Sequence, residues 1–404
     1  MYDLKQQLDR SYGAHPDFRF ADAPFEVDAD RIGAFNDGFD YLRTGQGALT
    51  PSQFGESRTR CQRELDAVFD QLKSQSSDEL ERRFLVELHA ECRRLVGEEL
   101  KLYARRPSGR GIALGSARTQ RDAVRLRNDC YYFGSLPRSA VDEMMALAKP
   151  EIEQFRLRAA AGQLTREHLS SNVGQPVRDI IGVLNREYRL LGVIDAVSAY
   201  MGHRMVVGGL ALELSVPQAN WWTNAFIGLP RAPNTLYAHL DESIVFPKSI
   251  VYLSDVTPEN GPTSCYRQAY RSLALTPIQE IVGRVLSNVG NAPDSELTKH
   301  YAKRYHQSMS SEGFRRHFMR LPESMRFNSH FGWDVLPDSE AEQTLAARED
   351  VMVGPAGTFI VFDGAKLLHR GGMVRQGDRV ALQVVFAASK VTSRIAGRLR
   401  KAFA

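Results

Sequence analysis

Residues 357–386 read GTFIVFDGAKLLHRGGMVRQGDRVALQVVF. Two runs rich in β-branched and aromatic residues, 357–364 and 379–386, flank a glycine-punctuated turn, as neighbouring strands do. In the second run Arg379, Ala381, Gln383 and Val385 fall on one face, and Val380, Leu382, Val384 and Phe386 on the other. A polar-edged face backed by an apolar one suits a strand that lines a cavity and packs helices behind it. Working outward, similar runs stand at 205–216 (MVVGGLALELSV), 220–229 (NWWTNAFIGL) and 248–256 (KSIVYLSDV), separated by Pro, Gly and Asn turns. Short strands in series predict an antiparallel jelly roll or sandwich rather than alternating βαβ units.

Residues 1–200 carry a different texture and read as mostly helical. Ser76 and Glu79 have capping-box spacing, and Leu80, Phe84, Leu88, Cys92 and Leu95 follow at helical intervals. A helix from Ser139 meets Pro150, which predicts a kink or an end there. Another runs from Pro176 towards Tyr200, with Gly192 as a dividing point. After Cys265 the strand pattern lapses until Val351, and helical stretches around 276–288 and 295–320 predict an insertion over about 266–350. The fold class expected is α+β. A helical region, 1–200, packs on a β-core, 201–390, and a basic tail, 391–404, follows. The insertion, lying between two strands at a barrel mouth, predicts a mobile cover over the site.

Composition bounds the function classes. The 404 residues are 43% hydrophobic and 25% charged, ordinary for a globular protein. No apolar run reaches the roughly 18–20 residues of a membrane span. The start, MYDLKQQLDRSYG, lacks a signal-peptide pattern, so a cytoplasmic location is expected and no membrane partner. Four cysteines without a CxxC pair exclude a disulfide framework and a cysteine zinc site. A net charge of +4 is too weak to imply nucleic acid. Seven arginines nevertheless cluster between Arg105 and Arg127. They read as a solvated loop entering a helix, or as a surface receiving an anionic substrate or an acidic carrier.

The chemistry-bearing string is Tyr237-Ala238-His239-Leu240-Asp241-Glu242. In an extended segment His239 and Asp241 point the same way. His369, in Leu368-His369-Arg370, supplies a third donor after the run 357–364. Two histidines and a carboxylate on one octahedral face are the facial triad of non-haem Fe(II) oxygenases, with three positions open. Arg379, ten residues on, offers a planar guanidinium that can take the distal carboxylate of 2-oxoglutarate through two parallel hydrogen bonds. Arg375 is its nearest competitor but lies in a turn, VRQGD.

On these residues the sequence resembles the phytanoyl-CoA dioxygenase-like branch of the Fe(II)/2-oxoglutarate oxygenases. The resemblance spans about Val193 to Phe386 and rests on the His239–Asp241 pair, Glu259-Asn260-Gly261-Pro262, the block 357–372 and Arg379. It implies a double-stranded β-helix core, Fe(II) on His239, Asp241 and His369, and 2-oxoglutarate on Arg379. Where relatives follow Asn-Gly-Pro with Pro-Gly-Ser-His, this chain has Thr263-Ser264-Cys265-Tyr266. The implied activity is hydroxylation of an unactivated C–H in a small molecule, with 2-oxoglutarate and O2 converted to succinate and CO2. A halogenase would lack Asp241. A metal-dependent jelly-roll isomerase or epimerase would not need Arg379. A non-catalytic binding protein on the same scaffold is the remaining alternative.

Several residues stand second. Asn224, beside Trp221 and Trp222, is a candidate contact to 2-oxoglutarate, with a strand-edge amide as the plain alternative. Tyr252 reads as β packing or as a cavity residue. His330 and Asp334 could form a second metal pair, but nothing nearby completes it, and a surface or pocket role fits better. His203 reads as a helix cap. His300 and His306, six apart, do not share a helical face.

Overall fold

The strand Met205–Ser215 runs beside Arg379–Ala388 almost throughout, in antiparallel register from Met205↔Ala388 to Ser215↔Arg379. In this computed structural model the described residues are 3–44, 49–105, 116–218, 238–241, 247–286 and 311–389. The run 220–229, the tail 391–404, His300 and His306 lie outside them. The chain folds into two compact units.

One unit comprises Arg110–Ile227, Val245–Arg267 and Asp350–Ala404. Its strands are β1 (Tyr131–Ser135), β2 (Ser170–Ser171), β3 (Met205–Ser215), β4 (Lys248–Tyr252), β5 (Ser264–Tyr266), β6 (Glu349–Val351, opening one residue earlier), β7 (Thr358–Phe362), β8 (His369–Arg370) and β9 (Arg379–Ala388). Six form an antiparallel sheet in the order β1-β7-β4-β9-β3-β2, and three form a second sheet, β6-β5-β8. The chain crosses between the sheets after β4, β6, β7 and β8. The runs 205–216, 248–256, 357–364 and 379–386 are thus strands of one antiparallel sheet, within a mixed helix-and-sheet fold.

Alternation in β9 divides its side chains as read from the sequence. Val380, Leu382, Val384 and Phe386 are buried in one apolar cluster with Met144, Ile152 and Phe155 of the helix Arg138–Ala160 and with Ile180, Leu184 and Tyr188 of the helix Gln175–Leu190. Each such side chain contributes about 1.5–3 kcal/mol by leaving water. Tyr188 also shares a hydrogen bond with Ser249 on β4 at 2.7 Å, so the helix layer is keyed to the sheet by a polar contact.

Local expectations fared unevenly. Gly192 does divide Gln175–Leu190 from Val193–Met201, with φ +76°, a left-handed conformation that favours glycine. Pro150 does not end its helix, which continues to Ala160. Its missing N–H removes one donor from the helix, while Ala148, Ile152 and Phe155 hold both flanks in the core. Nor does Ser76 begin a helix; it closes Pro51–Gln75. The cap of Glu79–Arg105 is Asp78, whose carboxylate accepts from Glu81 N–H at 2.7 Å, because Asp78 stands immediately before the first helical residue. The described part of the arginine-rich stretch is the helix Ala117–Asn128, with Arg118, Arg121, Arg125 and Arg127 exposed.

The other unit comprises Met1–Gly109, Gly228–Ile244 and Gln268–Glu349. Its helices include Leu4–Ala14, Ala29–Thr44, Pro51–Gln75, Glu79–Arg105, Pro277–Leu286 and Glu312–Arg320. Phe35, Phe39, Leu65, Phe69, Phe84 and Leu88 share one buried cluster with Ile278, Ile281, Val282, Phe314 and Phe318. The described helices of the insertion, expected as a mobile cover, are core elements of a helical unit. Their buried apolar positions pack in one cluster with residues from 12–100. Arg284, Glu99 and Glu280 are buried in the same unit and form ion pairs at 3.6 and 3.8 Å. No helix among the described residues is long and apolar enough to cross a membrane.

Candidate metal centre

His239 sits in a short extended segment held by two backbone hydrogen bonds to the stretch 329–332. Leu240 N–H donates to Ser329 C=O at 2.8 Å, and Gly332 N–H donates to Ala238 C=O at 3.1 Å. With the backbone extended, His239 and Asp241 turn the same way, and Nε2 stands 3.9 Å from Oδ1. His239 is buried, and its ring lies nearly parallel to that of His330, with centroids 4.8 Å apart and planes 16° apart.

His369 opens β8, opposite Cys265 on β5. Its Nδ1 lies 2.9 Å from Leu367 C=O. A carbonyl only accepts, so Nδ1 is the donor in this bond, and Nε2 is the nitrogen that can turn to a ligand. The Phe362 ring, 4.8 Å away and tilted by 60°, walls the imidazole. The ligand atoms of His239, Asp241 and His369 all lie within 4.8 Å of one another. Two imidazoles and one carboxylate are a borderline nitrogen and oxygen donor set that suits Fe(II) with an open face. The fixed tautomer of His369 fits the same use.

Arg379 is held where two glycine turns meet. Its Nη1 donates to Gly261 C=O, and Nη2 donates to Ser215 Oγ at 3.1 Å. Gly261 has φ +73°, and a Cβ there would stand 2.7 Å from Gly372 O. A Cβ on Gly372 would in turn meet Pro262 O at 2.2 Å. Gly261 and Gly372 must therefore both be bare for the two loops to touch. Asn260 ties them further, donating to Gln376 C=O at 2.9 Å. Arg379 is 6% exposed, its Nε lacks a hydrogen-bond partner, and no described carboxylate stands within ion-pair distance. A buried guanidinium with an unused donor is chemically suited to an anionic oxygen. Arg375 differs in every respect, being exposed and 3.9 Å from Glu259.

Tyr252 proves to be a strut. Its hydroxyl accepts from Thr263 N–H at 2.8 Å and donates to Met352 C=O at 3.0 Å, and burial pushes its phenol pKa up. Asn224 lies outside the described residues. His330 and Asp334 are fully buried and form no metal group among the described residues, which corrects the idea of a surface role. Asp334 accepts from Tyr12 Oη–H and, at 3.3 Å, from Asn328 Nδ2. Burial raises the Asp334 pKa to about 7. His203 Nδ1 bonds Met201 C=O at 3.0 Å, just past the helix end, as a cap does. Sequence reading missed Ser215, Gly261 as an Arg379 partner, and Tyr12. Only Gly261 carried a usable signal, its place in the Asn-Gly-Pro turn.

No protein-family model matches the chain, and no curated protein matches it. Among solved structures it is similar to the non-heme alpha-ketoglutarate-dependent epimerase SnoN from nogalamycin biosynthesis. That likeness has 14% identity, covers 67% of this chain and 84% of the other, and has a TM-score of 0.35. EctD from S. alaskensis, with 2-oxoglutarate and 5-hydroxyectoine, matches at 16% identity over 68% of this chain and 77% of its own, TM-score 0.36. AviO1 from Streptomyces viridochromogenes matches at 15% over 69% and 97%, TM-score 0.33. SnoN and EctD have both been seen with iron and with the oxo acid. At such identities and TM-scores the likeness transfers neither a reaction nor a substrate.

Proposed function

We propose that this chain is an Fe(II)/2-oxoglutarate-dependent oxygenase that hydroxylates a C–H bond of a small organic molecule. The observation that carries the reading is the donor set of His239, Asp241 and His369 gathered within 4.8 Å. The buried Arg379, with an unused donor and no described carboxylate beside it, supports the same reading. In this proposal the two sheets are the double-stranded β-helix of the phytanoyl-CoA dioxygenase-like branch. The substrate is a small molecule, anionic or carrier-bound where the exposed arginines of Ala117–Asn128 receive it, and the protein is cytoplasmic.

Iron bound with 2-oxoglutarate would supply oxygen activation coupled to decarboxylation of the oxo acid to succinate and CO2. The protein's part is positional. His239, Asp241 and His369 would hold one face of the metal and leave the other for chelate and gas. Arg379 would take the distal carboxylate through Nη2 and Nε, with Ser215 Oγ steadying the guanidinium. Tyr252, Val256, Cys265, Met352, Ile360 and Leu367 form a buried apolar cluster that also includes Ala381, two residues along β9 from Arg379, and it keeps water from this end of the strand.

The test is succinate formation from 2-oxoglutarate under O2 with Fe(II), across a panel of amino acids, sugars, acyl carriers and natural-product intermediates. Turnover should require His369 and Arg379. A product isomerised without added oxygen would replace hydroxylation by epimerisation. Metal-dependent turnover of a substrate with no need for the oxo acid would overturn the proposal.

A further inference from the structure

His239 is not held by its own segment alone. The stretch Asn328–Gly332 grips it twice through the backbone, at Leu240 N–H and at Ala238 C=O. Between those two bonds stands His330, whose ring is laid flat against that of His239. His330 is in turn fixed by a buried polar chain. Asn328 Oδ1 accepts from His330 N–H at 3.0 Å, which turns the amide so that Nδ2 faces Asp334. Asp334 accepts from that Nδ2 and from the Tyr12 hydroxyl, which comes from the first helix, Leu4–Ala14. Ser329 Oγ stands 3.1 Å from His330 Nδ1 and limits rotation of the ring. Tyr12, Asn328, Ser329, His330 and Asp334 are each at most 3% exposed.

An imidazole free to rotate about its Cβ–Cγ bond swings its Nε2 away from the direction a metal requires. A flat neighbour within stacking distance restricts that rotation. A neighbour that is itself locked restricts it permanently, without waiting for the metal to arrive. We infer that His330 is a positioning residue that sets the ring plane of His239, and that Asn328, Asp334 and Tyr12 hold His330 in place. The inference rests on the metal-site reading above and deepens it. It gives the first helix and the segment 328–334 a task at the candidate centre, and it needs no change of protonation to operate. Outer partners of this kind are typically worth about 10- to 100-fold in metal affinity.

The experiment titrates the anaerobic full chain with Co(II), whose d–d bands report ligand geometry, in the absence of 2-oxoglutarate. Apo melting temperature is recorded alongside. His330→Leu, which removes the flat face, should weaken Co(II) binding about 10-fold or more and shift the bands. His330→Phe, which restores a flat ring, should return affinity to within about threefold of native by the same reasoning and restore the bands. Should His330→Leu melt early, Tyr12→Phe serves in its place, since it removes a single hydroxyl that bonds Asp334 and not His239. It should shift the bands in the same direction by a smaller amount. Native affinity and native bands in His330→Leu, or failure of His330→Phe to restore them in a folded protein, would overturn the inference. Native bands in Tyr12→Phe would remove Tyr12 from it and, where that variant stands in for an unstable His330→Leu, would overturn it. A native chain whose Co(II) binding survives His239→Ala would instead overturn the metal-site reading itself.

Discussion

Arg379→Leu separates the two guanidiniums that the sequence offers for 2-oxoglutarate. In the free protein the native arginine is buried without a described carboxylate beside it, which is costly in itself. Leucine removes that charge and leaves Gly261 C=O and Ser215 Oγ without Arg379 as donor. The lost bonds cost about 1–3 kcal/mol and the removed charge offsets them, so the melting temperature of the free protein should move little. In the ligand-bound protein there is no offset, because the distal carboxylate loses the charged partner assigned to it. Truncating one side of such a buried pair costs about 2–5 kcal/mol, and each 1.4 kcal/mol is tenfold, so the dissociation constant should rise by roughly 30-fold to a few thousand-fold. Arg375 is exposed and its contact with Glu259 is 3.9 Å. A surface pair of that kind is worth at most about 1 kcal/mol, so Arg375→Leu should change binding by less than about fivefold. Calorimetric titration of 2-oxoglutarate into the anaerobic metal-loaded protein measures both. Equal losses, or a larger loss in Arg375→Leu, would refute the placement of the oxo acid.

His239→Ala and His369→Ala should each abolish the visible charge-transfer band that Fe(II) and 2-oxoglutarate produce together, read by anaerobic absorbance; a retained band removes that residue from the ligand set. Asp241→Glu should bind Fe(II) poorly, since one added methylene displaces the carboxylate, and wild-type hydroxylation by Asp241→Gly would exclude Asp241 as a ligand. Hydrogen exchange over 277–286 and 312–320 should already be slow in the free protein and unchanged by ligands, because those helices are core; ligand-dependent slowing there would restore the idea of a cover. Asp334 has a folded pKa raised by burial to about 7 against the ordinary 3.8. Its proton therefore favours the folded state below the unfolded value, and that contribution is lost as pH rises through about 7. Stability from urea unfolding between pH 5 and 8 should fall less steeply with pH in Asp334→Asn than in the native chain; an unchanged slope would mean that Asp334 titrates normally.

Local information carried a good part of this protein. The alternation in 379–386 foretold which side chains of β9 face the helices, because strand geometry has a period of two and needs no distant partner. The His239-x-Asp241 spacing placed two donors on one side for the same reason. Gly192 announced its own break through the one backbone conformation that glycine takes freely. Tertiary structure decided what local pattern cannot. Whether Pro150 ends a helix depends on what packs against both its flanks, and here both are buried. Whether 277–286 and 312–320 form a cover or a core depends on apolar partners far earlier in the chain, in the helices of 29–105. The Tyr12–Asp334–Asn328 chain joins residues more than three hundred positions apart. Nothing in either stretch names the other, because a buried hydrogen bond is specified only when folding has excluded water from both its ends.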